Sequence, residues 1–150
     1  MSAIAIDELQ EIVEVVWMTV LELPVEPCVS SELASTEALI SEIRISGAWQ
    51  GVVAVRASMQ FLRNAASLMF SIDASDVQHL DCKDTLSELT NMLGGTVKCL
   101  LPEVCDLSLP SIETCDTVDI DAHDWINFNC QNHPLAVAVT QDAEGSQAAA

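Results

Sequence analysis

A chain of 150 residues, half of them apolar and 19% charged, suits one domain with its own core, since a domain of this size buries about 70% of the surface its unfolded chain exposes. Its 23 acidic residues against 5 basic ones leave a net charge of -18. That balance excludes nucleic acid and anionic membrane surfaces as partners, because both demand clustered Lys and Arg and the chain has only Arg44, Arg56, Arg63, Lys83 and Lys98.

The first element is legible at residues 7–23, where Leu9, Ile12, Val13, Val16, Val20 and Leu23 recur at helical spacing and Glu8, Glu11, Glu14 and Glu22 fall mostly opposite. Pro24 ends this helix. Residues 24–38 are polar and irregular, with room for one short strand near Cys28 to Leu33. Residues 38–45 and 52–57 then alternate or run apolar around Ser46-Gly-Ala-Trp-Gln-Gly51, which predicts a β-hairpin. Ser58 is placed to cap a helix over residues 59–70, with Met59, Leu62, Ala66 and Met69 on one face. A second long helix is expected over residues 84–101, stopped by Pro102. Beyond Pro110 the chain turns to strands, expected near 113–120, 125–130 and 135–140, with Asn132, His133 and Pro134 in the last turn.

The two long helices can be laid over each other, Asp7 on Asp84, Leu9 on Leu86, Glu11 on Glu88, Glu14 on Asn91, Thr19 on Thr96 and Val20 on Val97. Each precedes an apolar hairpin. The expected fold is therefore α+β: duplicated helix-plus-strands units forming an antiparallel sheet with two long helices packed on it. One domain is expected over residues 1–140, followed by a small, polar, flexible tail over 141–150.

Mean hydropathy is +0.33, yet no apolar run approaches the ~18 residues of a membrane-spanning helix, so the hydrophobicity belongs to a core. Neither a basic start nor a small-residue cleavage site precedes the acidic first helix, and a cytoplasmic location is expected. Cys28, Cys82, Cys99, Cys105, Cys115 and Cys130 are scattered without a C-x-x-C pair, which points to reduced, mostly buried thiols.

On the second long helix, Leu86, Leu89, Leu93, Val97 and Leu100 form a core stripe, and Asp84, Glu88, Asn91, Gly95 and Lys98 line the opposite side. A charged helix face is ordinarily a solvated surface. Here, however, Asn91 is a poor helix former, and Gly94 and Gly95 each cost about 1 kcal/mol relative to Ala in a helix interior. Glycine would let another surface approach the helix closely.

The segment Asp84-Thr-Leu-Ser-Glu88-Leu-Thr-Asn91-Met-Leu-Gly-Gly95 resembles the signature helix of the CheC, CheX and FliY family of chemotaxis phosphatases, and is most like the CheX type. The layout of helix, hairpin, helix, signature helix and terminal strands extends the resemblance over about residues 5–140. It implies a phosphatase that removes the phosphoryl group from an aspartyl phosphate on a CheY-like response regulator, and a homodimer as in CheX-like proteins. Glu88 would pair with the regulator's lysine, Asn91 would hold a water in line with phosphorus, and Asp84, Gly95 and Lys98 would flank them against the partner. The required Mg²⁺ would sit in the regulator, with no metal or other cofactor in this chain. The residue types suit such chemistry, because a loose phosphoryl-transfer transition state can be stabilised by positioning and charge balance without a covalent nucleophile. An amide offers donor and acceptor at once.

One departure bears on mechanism. Where two-centre members repeat the pair on the first helix, Glu11 is followed by Glu14, and a carboxylate there would repel a phosphoryl group, so a single centre is expected. The alternative reading is a non-catalytic binding module of the same fold, engaging a response regulator, flagellar-switch or signalling partner. His79 with Cys82, and His123 with Cys130 and His133, lack the paired ligand sets of structural zinc. No G-x-S-x-G elbow or cysteine-enzyme signature is present. At least two of Trp17, Trp49 and Trp125 are expected in the core.

Overall fold

A computed structural model of the chain describes residues 4–28, 37–101, 104–114 and 123–142. The first helix, α1 (Ile6–Leu21), is followed by the short strand β1 (Glu26–Cys28). The predicted hairpin is β2 (Ala38–Gly47) with β3 (Gly51–Ser58), and α2 (Met59–Phe70) follows without a break. Ser58 Oγ accepts the N–H of Phe61 at 3.1 Å, the expected cap. A 3-10 turn at Ala74–Asp76 leads to α3 (His79–Leu100). Strands β4 (Cys105–Leu107), β5 (Ser111–Thr114), β6 (Ile126–Cys130) and β7 (His133–Gln141) complete the chain.

All strand pairings are antiparallel, in the order β1-β6-β7-β3-β2-β4, with β5 also on β2. The duplication expected from the helices is visible in this order. Hairpins β2–β3 and β6–β7 meet along β3 and β7, and the short strands are exchanged, β1 onto β6 and β4 and β5 onto β2. Each unit therefore closes the outer edge of the other, so neither sheet half is complete alone. The helices pack on one face through Leu9, Val13, Val16, Trp17, Leu62, Leu86, Leu89, Leu93 and Val97, against Ile43, Ile45, Val53, Val55, Leu135 and Val137 from the sheet.

Several boundaries differ from the sequence reading. The third helix begins five residues earlier than expected, because Asp81 carboxylate accepts the N–H of Gln78 at 2.8 Å and closes the first turn. The short early strand lies at 26–28, and the remainder of its expected span, 29–33, falls outside the described residues. Strand β4 was not expected; at three residues it carries too little periodicity to read. The strand expected at 113–120 starts at Ser111, and residues 115–120 lie outside the described residues. His133 and Pro134 belong to β7 rather than to a turn. The connection is Gln131–Asn132, both with positive φ (52° and 65°), a two-residue loop whose twist matches the hairpin. Gln141 ends β7 and Asp142 meets Arg44 at 2.6 Å, whereas the remainder of the expected tail, 143–150, lies outside the described residues.

On the face of the sheet away from the helices, a clasp spans three strands. His123 Nε2 lies 2.7 Å from Glu42 Oε2 on β2, and Nδ1 lies 2.9 Å from Thr140 Oγ1 on β7. A carboxylate can only accept, so Nε2 is the donor. Trp125 packs edge-on against this imidazole. Trp17 and Trp49 are the buried tryptophans, as expected, and Trp17 stacks on Phe61 with ring centroids 6.1 Å apart. Among the described residues no helix is long and apolar enough to cross a membrane.

Candidate functional site

At about 100° per residue, Asp84, Glu88, Asn91, Gly95 and Lys98 fall within a stripe roughly 80° wide on α3. The fold leaves that stripe on the outside. Glu88 and Asn91 are exposed, Asp84 likewise, and Gly95 and Lys98 are half-buried. Leu86, Leu89, Leu93 and Val97 are wholly buried on the other side, so the helix is held by its back and presents its polar face freely. The helix runs unbroken through both glycines. Thr90 Oγ donates to Leu86 O at 2.7 Å and Thr96 Oγ to Met92 O at 2.9 Å, which satisfies these hydroxyls within the helix.

The two glycines are distinct. A Cβ on Gly94 would stand 2.8 Å from Ile43 Cγ2, so this residue is what allows α3 to lie close on β2. Among the described residues, a Cβ on Gly95 would meet nothing within 4 Å outside its own helix. Close approach to the helix is expected at both glycines, and the structure places it inside the chain at Gly94.

The first helix shows what the duplicated face has become. Leu9, Ile12, Val13, Val16 and Trp17 are buried, as are their counterparts Leu86, Leu89, Thr90, Leu93 and Gly94. Glu11 and Glu14 are exposed where Glu88 and Asn91 are. Trp17 replaces Gly94, and Met18, 50% exposed, replaces Gly95. The sequence comparison found the Glu14 substitution but not these two, whose meaning depends on which side of each glycine is filled.

The remaining candidates do not assemble into a cluster among the described residues. Among the described residues no group of three or more His, Cys, Asp or Glu side chains is placed to hold a metal ion. His123 is committed to its clasp. Burial pushes the Cys130 thiol up to about 11 and raises that of Cys82, an effect which Arg63 partly opposes. A cavity lined by Ile4, Ile6, Leu9, Trp125, Ile126 and Val139 lies at the start of α1 and was not foreseen, because its walls come from both ends of the chain.

Residues 39–128 match the family described as chemotaxis phosphatase CheX. The chain belongs to the CheX family. By sequence, no curated protein matches it. Among solved structures, CheX from Vibrio vulnificus superposes with a TM-score of 0.76 at 16% identity, covering 95% of this chain and 100% of that one. A CheC-like superfamily protein from Shewanella sp. PV-4 gives 0.70 at 15% identity, covering 95% and 100%. The CheX–CheY–BeF3–Mg²⁺ complex from Borrelia burgdorferi gives 0.68 at 12% identity, covering 92% and 97%. At these identities the likeness is one of fold, and the CheX fold is what the duplicated units and exposed signature helix build.

Proposed function

We propose that this CheX-family chain hydrolyses the aspartyl phosphate of a CheY-like response regulator, acting in the cytoplasm, with Glu88 and Asn91 entering the regulator's active site. The observation that carries the reading is the exposure of this Glu-x-x-Asn pair on an unbroken helix of a CheX-family domain. A partner from the CheY class is supported by the Borrelia CheX, whose complex contains CheY. Glu88 pairs with a lysine in the regulator's cleft. The Asn91 amide accepts from the attacking water and holds its lone pair toward phosphorus. The water oxygen bonds to phosphorus as the bond to the aspartyl oxygen breaks, the carboxylate leaves with the electron pair, and both of the water's protons depart on inorganic phosphate as dihydrogen phosphate. Nothing in these steps requires a base on this chain, because the leaving carboxylate is a good one and the task is alignment. Mg²⁺ belongs to the regulator, where it would neutralise the phosphoryl oxygens. Asp84, Gly95 and Lys98 border the contact. A homodimer is supported by Val104 and Leu109, each 89% exposed on either side of the edge strand β4.

The deciding measurement is phosphate release from a phosphorylated CheY-like regulator, paired with binding to the same regulator carrying beryllofluoride. Asn91→Ala is expected to bind normally and lose about 10²-fold in stimulated hydrolysis, roughly 2.7 kcal/mol of barrier. Glu88→Ala should weaken both binding and rate. Glu11→Ala should leave both nearly unchanged. Wild-type protein that binds the mimic yet leaves hydrolysis unaltered would instead make the chain a binding module.

A further inference from the structure

Glycine weakens a helix interior relative to alanine, so each glycine in α3 calls for a reason. Gly94 has one in Ile43. Gly95 has none among the described residues: beyond its own helix backbone, an added Cβ would meet no heavy atom of theirs within 4 Å, and its backbone is not among those with positive φ. Neither space nor backbone conformation excludes a side chain there. The position lies one turn beyond Asn91, on the same stripe. On α1, the duplicated helix whose Glu11–Glu14 pair lacks the amide, the corresponding position carries the protruding side chain of Met18. The side chain is thus missing only on the helix that keeps Glu and Asn together.

We infer that Gly95 sets the depth of docking: the regulator's surface closes directly on the α3 backbone at this point, which is what brings Glu88 and Asn91 far enough into the cleft. The inference rests on the proposed phosphatase reading and adds a specificity determinant to it. A partner whose rim lies flat against bare helix is admitted, and any side chain at residue 95 acts as a spacer. Because two helix residues on one face move together, a spacer of one methyl group withdraws both Glu88 and Asn91.

Gly95→Ala and Gly95→Met are compared with wild type and Asn91→Ala in three measurements: thermal unfolding of the free protein, affinity for a purified CheY-like regulator carrying beryllofluoride, and kcat and KM for dephosphorylation. Gly95→Ala is expected to unfold at a higher temperature than wild type while Kd and KM rise about 10-fold and kcat falls several-fold, because the withdrawn Asn91 aligns the water less well. Gly95→Met should raise Kd by about 100-fold or more. Unchanged Kd in both variants, a loss confined to kcat, or a lower unfolding temperature for Gly95→Ala would each overturn the inference; the last would return the glycine to a role in the chain's own fold. Failure of the phosphatase reading looks different: wild type would then bind the mimic and leave hydrolysis unaltered, and the Kd values of the Gly95 variants would still judge the docking role. Absence of binding by wild type would remove both.

Discussion

Neighbouring residues of one helix can answer to different surroundings, and Gly94 shows how sharply packing enforces this. Ile43 is wholly buried and β-branched, so it cannot rotate away from a methyl group placed 2.8 Å from its Cγ2. Gly94→Ala is therefore expected to destabilise the protein by about 1–3 kcal/mol, read by urea unfolding, despite the better helix propensity of alanine. An equal or greater stability would mean that α3 shifts off β2 at little cost. At this scale the sequence exposes the glycine pair and the Glu-x-x-Asn pattern. It does not reveal which glycine faces inward, because the two differ by only 100° around the helix.

At the scale of elements, periodicity located the three helices and the central hairpin, whose long amphipathic or alternating runs leave one solution. It missed β4 and the early start of α3, which depend on edge pairing and on a single capping carboxylate. The edge strand on β2 is broken between Leu107 and Ser111, and Ser108 bridges the break by exchanging backbone and side-chain hydrogen bonds with Arg44, each at 2.9 Å. The His123 clasp ties β2 to β7 across β3. His123→Ala leaves Glu42 and Thr140 without this partner and should cost about 1–3 kcal/mol, measured by thermal or urea unfolding. A change below about 0.5 kcal/mol would show that water replaces the imidazole at no cost.

For the whole molecule, the exchanged short strands make the two units interdependent, so unfolding is expected to be a single cooperative transition. Its pH dependence has identifiable components in the buried thiols of Cys82, which burial raises, and of Cys130, raised from an ordinary 9.0 to about 11. Below pH 9 the folded and unfolded chains both hold the Cys130 proton and the group is neutral to stability. Between about pH 9 and 11 the unfolded chain releases it first, so the native state loses stability as pH rises through that window. Urea midpoints measured from pH 8 to 11 should fall more steeply for wild type than for Cys130→Ala. Parallel curves would place the thiol in a less desolvated site than the fold gives it.

The sequence by itself determined the α+β class, the hairpin and the parallel between the long helices, because each is written in local spacing, whereas the candidate pair Glu88 and Asn91 came from the resemblance of their helix to the CheX signature. The CheX resemblance read from Asp84 to Gly95 was sufficient to name the family. Only the tertiary structure decided that β1 and β5 cross between units, that His123 clasps the sheet, and that Gly94 faces Ile43 while Gly95 faces outward. These depend on contacts between residues far apart in sequence, where spacing carries no information and the outcome is set by which surfaces the folded chain brings within van der Waals reach.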